Sequence, residues 1–103
     1  MINIRANRKD GKIVYLSVEG HADYKEEGSD IVCSAVSAIS VGGINALSQP
    51  KEFVLKVEKG NVEISVKGKV NQHDYEVLET MLTQLKTVEE SYSKYIKVIE
   101  KGN

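Results

Sequence analysis

The sequence holds one cysteine, Cys33, and two histidines, His21 and His73, the side chains best suited to nucleophilic and acid–base chemistry. Asp30 reads as the N-cap of a helix, which makes Ile31, Val32 and Cys33 its first three positions. Unpaired N–H groups and the helix dipole there favour an anion and lower a thiol's pKa from its usual value of about 8.5. The same N–H groups can hold the oxyanion formed when a thiolate attacks a carbonyl. A buried structural cysteine is the alternative. His21 directly follows Gly20, close enough in sequence for its ring to swing over the helix start and act as general base. Alone, it would be an ordinary surface histidine.

Two jobs are open to Asp30: capping the helix, the reading taken here, or orienting His21 as a third member. A carboxylate beside the thiol would raise its pKa, against the helix effect. Ser37 lies at i+4 from Cys33, on the same face, and can donate to substrate or to its own backbone. His73, beside Asp74, reads as surface. One Cys and two His lack the close ligand pairs of a zinc site, so no metal or other cofactor is expected. Gly42-Gly43 costs a helix about 1 kcal/mol per glycine and implies close approach by another element.

These residues need a scaffold. Ile2, Ile4 and Ala6 alternate with polar residues as a strand, Asp10-Gly11 signals a hairpin, and Val14, Leu16 and Val18 continue on the return strand to Gly20. Ala22–Ser29 reads as a polar loop, expected to be mobile until it closes over substrate. From Asp30 to Leu47 the residues are small or apolar on nearly every side, predicting a buried helix that stops before Pro50. Phe53–Glu58 and Val62–Lys67 form a second hairpin turned at Gly60-Asn61. Asn71 would cap a second helix whose apolar stripe is Val77, Leu78, Met81, Leu82, Leu85 and Val88. Tyr95–Ile99 closes the sheet. The order ββαββαβ predicts an α+β domain spanning residues 1–103, with two helices on a mainly antiparallel sheet.

A net charge of −1 argues against a nucleic-acid binder that works by neutralising phosphate. A lone cysteine, no leader and no apolar run of about 20 residues predict a cytoplasmic chain with no membrane contact.

Gly20-His21-Ala22, followed after a short loop by Gly28-Ser29-Asp30-Ile31-Val32-Cys33-Ser34-Ala35-Val36-Ser37, resembles the signature of the ribosomal-processing cysteine protease family. The resemblance spans the chain in length and element order, but only residues 20–37 are specific. It implies a dimeric enzyme that removes an N-terminal extension from large-subunit ribosomal protein twenty-seven, cutting after an aromatic residue. Carried over by motif position, it makes Cys33 the nucleophile and His21 the general base, with Asp30 and Ser37 in support. Ser34 stands where the family commonly has alanine, a change between two small residues. The rival readings are a non-enzymatic ribosome-assembly adaptor and a single-thiol redox sensor.

Overall fold

The computed structural model describes residues 1–21 and 29–103. β1 (Ile2–Lys9) and β2 (Lys12–Gly20) form an antiparallel hairpin. Its turn residues, Asp10 and Gly11, have φ of 53° and 77°. Two consecutive positive φ angles match the twist of the flanking strands, and Asp-Gly tolerates them. α1 (Ser29–Ala46) follows, then a 3₁₀ turn at Pro50–Glu52 and the hairpin of β3 (Phe53–Glu58) and β4 (Asn61–Val66). α2 (Gln72–Tyr92) leads into β5 (Ile96–Gly102).

The five strands lie in the order β3-β4-β2-β1-β5. Three pairings are antiparallel, and β5 runs parallel to β1, so the sheet is mixed. Ile2, Ile4 and Ala6 of β1, Leu16 and Val18 of β2 and Val62 and Ile64 of β4 share one core with Val32 and Val36 of α1. From α2 the core takes Leu78, Met81, Leu82 and Leu85, as the apolar stripe predicted. Burying each such side chain contributes about 1.5–3 kcal/mol. The predicted α+β class and the two covering helices hold.

Several expectations need correction. The register shifts between Asn7 and Arg8, leaving Val14 without a partner. This bulge turns Ile13 into the core at 1% exposure and leaves Val14 half-buried, the reverse of plain alternation. Lys59-Gly60 makes the second turn, since Asn61 already pairs with Glu58. β5 extends past Ile99 to Gly102 because β1 offers backbone partners as far as Arg8, even where β5 is polar. α1 is not buried all round: Val32, Val36 and Ser40 turn inward, whereas Ile31 and Val41 are 59% and 40% exposed. A spacing of four residues buries one stripe, with Cys33, Ile39 and Ile44 partly buried beside it.

α2 is capped as predicted: the Asn71 side-chain oxygen accepts the Asp74 N–H at 2.8 Å. The neighbouring Asp74 was unforeseen. It is fully buried and accepts from the Ser48 N–H and hydroxyl (2.8 and 2.9 Å) and from the Gln49 N–H (2.9 Å). The exposed His73 ring bonds it at 2.8 Å. Burial pushes this carboxyl up, but the donors outweigh burial and hold it at about 2. The start of α2 is thereby fastened to the segment after α1.

Candidate active site

His21 sits where β2 ends. Gly20 has φ of 102°, and a side chain there would collide with the Met1 carbonyl oxygen. Glycine therefore lets the chain leave the sheet while the Met1 nitrogen donates to the His21 carbonyl oxygen at 2.8 Å. The Gly20 N–H reaches across to the Gly60 carbonyl at 3.0 Å, tying this corner to the β3–β4 turn. The exposed His21 ring lies against Gly60.

Cys33 projects half-buried from α1. The helix begins at Ser29, so Asp30 is its second residue rather than its cap, and Cys33 is the fifth rather than the third. Helical hydrogen bonding starts earlier than an Asp-cap reading allows. Asp30 still places a carboxylate in the first turn, where the helix dipole favours it. The Cys33 N–H lies inside the ladder, and the unpaired amides belong to the turn before it. Apart from Ser29, which is helical rather than loop, the expected loop 22–29 and its closure lie outside the described residues.

His21, Asp30, Cys33 and Ser37 all line one cleft of about 550 Å³ between α1, the ends of β1 and β2, and the β3–β4 turn. All four residues singled out from sequence are thus brought to one place. Asp30, Ser37 and His21 are exposed and Cys33 is half-buried, which suits side chains that must meet a substrate. The far wall was not anticipated: Val57, Glu58, Lys59 and Gly60 face the same space. Val57 is 53% exposed there and, with Val41, gives the cleft an apolar surface beside its polar groups. The one available signal was Gly60, which read only as a turn residue. His73 is remote from this cleft, on the groove between α1 and α2. Among the described residues no cluster of His, Cys, Asp or Glu could hold a metal ion, and no helix is long and apolar enough to cross a membrane.

A thiol and an imidazole opening on one cleft suit nucleophilic attack on a carbonyl. Comparison with known proteins finds cysteine proteases. Residues 1–97 match the model of the family described as cysteine protease Prp. The ribosomal processing cysteine protease Prp of Staphylococcus aureus is 33% identical over 93 residues, covering 86% of this chain and 88% of that protein. A crystal structure of the S. aureus protease with a substrate peptide superposes with a TM-score of 0.85 at 30% identity, covering 98% of this chain and all of the other. A second, carrying a covalently linked product peptide, gives 0.82 at 32% identity over 98% and 100% of the two chains. The chain belongs to the Prp family of cysteine proteases.

Proposed function

We propose that this chain removes the N-terminal extension of large-subunit ribosomal protein twenty-seven, with Cys33 as nucleophile and His21 as general base. The observation that carries the reading is the shared cleft, onto which both side chains open although they come from different elements. The Cys33 thiolate attacks the scissile carbonyl, and the unpaired amides of the first turn of α1 stabilise the resulting oxyanion. His21, protonated by the thiol, gives that proton to the leaving amine, and the acyl-enzyme forms as the peptide bond breaks. Water then attacks the thioester, His21 takes its proton, and the thiol leaves regenerated. Thiol, imidazole and water complete the reaction without a cofactor. Asp30 and Ser37 support the pair from the same helix.

The cleft suits the substrate as well as the chemistry. Its apolar wall, Val41 and Val57, fits an aromatic side chain before the cut. Asp30 and Glu58, set against Lys59, leave its lining with one net negative charge, which complements the basic chain of a ribosomal protein. The enzyme works in the cytoplasm, where the lone thiol stays reduced. It works as a homodimer, a state supported by the apolar side chain that α1 leaves uncovered at Ile31, outside the cleft lining. Residues 1–103 form one protease domain.

The test is to incubate the chain with the extended ribosomal protein and read the intact mass. The expected product is shorter by the extension, with its new N-terminus following an aromatic residue. An unchanged mass despite measurable binding would mean an adaptor instead. Activity that depends on peroxide but not on His21 would mean a redox sensor.

A further inference from the structure

Gly60 has a second role beyond turning the chain between β3 and β4. Its φ is 79°, which explains glycine as backbone. It does not explain the space around it. A Cβ at Gly60 would stand 2.5 Å from both Cε1 and Nε2 of His21, well inside van der Waals contact. The imidazole therefore occupies the volume that any side chain at position 60 would fill. The same residue holds the backbone beside the ring, because its carbonyl accepts the Gly20 N–H at 3.0 Å. Gly11 offers the contrast: its φ is 77°, nearly the same, but nothing lies within 4 Å of its would-be Cβ.

We propose that Gly60 is the seat of the His21 imidazole, making it a positioning residue for the thiol–imidazole pair. The inference rests on His21 being the base, as proposed above. The ring is the mobile end of an exposed side chain, so a methyl group at position 60 would displace it by rotation rather than disrupt the fold. A displaced base costs turnover steeply, since proton transfer needs heavy atoms within about 2.6–3.2 Å. The strain of placing an L-residue at a left-handed φ, by contrast, is common to positions 11 and 60. The two turns thus separate backbone strain from ring displacement.

The experiment compares Gly60→Ala, Gly11→Ala and His21→Ala for kcat, KM, melting temperature and the His21 Cε1–H resonance. Gly60→Ala and Gly11→Ala should melt within a few degrees of each other. Gly60→Ala should lose at least tenfold in kcat with KM within about twofold, and its His21 resonance should move. Gly11→Ala should keep kcat and the resonance. If Gly60→Ala does not fold, Gly60→Asn replaces it, since asparagine tolerates positive φ but carries the same Cβ. Loss of activity in His21→Ala with Gly60→Ala matching Gly11→Ala would overturn the seat and leave the base standing. Full activity in His21→Ala would overturn both.

Discussion

Helix α1 is fastened at one end and open at the other. After its C-terminal end, the Ser48 and Gln49 amides donate to buried Asp74, and Asn71 donates to the Ser48 hydroxyl at 2.9 Å. Near that end Gly43 packs directly on Met81 of α2. From the other end inward Cys33, Ser37 and, nearer the clamp, Val41 look into the cleft, and Ile31 and Val41 stay exposed. Among the described residues, neither the Cys33 thiol nor the His21 ring has a side-chain hydrogen bond. The contrast separates two demands on one helix. A substrate-binding end needs unpaired groups and uncovered apolar surface, which contribute little stability. The clamped end supplies the attachment that lets the other remain available.

The largest effect should come from the open end. Cys33→Ala should lower peptide cleavage by about a thousandfold or more, because no other side chain in the cleft is a thiol nucleophile. The melting temperature should move by only a few degrees, since Cys33 is half-buried and alanine is small. Peptide cleavage followed by mass, with a thermal melt of the same sample, checks both halves. Cleavage within tenfold of the unsubstituted chain would remove Cys33 from the mechanism.

The clamped end should behave in the opposite way. Asp74→Ala empties a fully buried site and removes the charged acceptor shared by the Ser48 and Gln49 donors, at a cost of roughly 3 kcal/mol. For a chain of this size that lowers the melting temperature by roughly 10–20 °C. Turnover per folded molecule should stay within about twofold at low temperature. The carboxyl lies at about 2 in the folded chain against 3.8 normally. A depressed carboxyl contributes stability that is fully present above its unfolded pKa and is lost as pH falls through the folded one. Acid should therefore remove about 2 kcal/mol between roughly pH 4 and pH 2. An Asp74→Asn variant should lack this component in denaturant melts across that range. Equal acid sensitivity in the two proteins would show that Asp74 is not the charge that holds this end.

These two ends were not equally legible in the sequence. The reactive end carries the chain's one cysteine and one of its two histidines, so residue type drew notice to that pair. The resemblance over residues 20–37 supplied the expected roles, those of Asp30 and Ser37 included. The capped stripe of α2 and the Asp10-Gly11 turn were legible because local geometry dictates them. What sequence did not yield was long-range. The β3–β4 turn faces His21 only because β2 lies beside β4 in the sheet, a pairing that no local pattern encodes. Asp74 looked like any charged residue at a helix start, since its donors lie some 25 residues away along the chain. The bulge at Val14 escaped for a related reason: it is a mismatch between two strands, invisible in either one. α1 starts two residues earlier than an Asp30 cap implies, enough to move Cys33 out of the unpaired amides.

The smallest effects test the last turns of α1, beside its packing on α2. Gly42 and Gly43 are adjacent, but a Cβ at Gly42 meets nothing within 4 Å, whereas one at Gly43 would collide with the Met81 side chain. Both alanines gain about 1 kcal/mol of helix propensity. Gly42→Ala should keep that gain and raise the melting temperature by about 4–8 °C. Gly43→Ala must also push Met81 aside, an overpacking that typically costs 1–3 kcal/mol even though methionine is adaptable. Its net change should be a loss of about 1 kcal/mol, read as a drop in the same melt. Equal stabilisation by both would mean that α1 is not closely packed on α2 at this point, and the clamp would reduce to Asp74 alone. Sedimentation of the same variants extends the test to the proposed dimer. If Gly42→Ala instead destabilises and weakens self-association, the open side of Gly42 is where a second copy packs. If it stabilises and the dimer persists, that contact lies elsewhere, with the exposed Ile31 as the next surface to test.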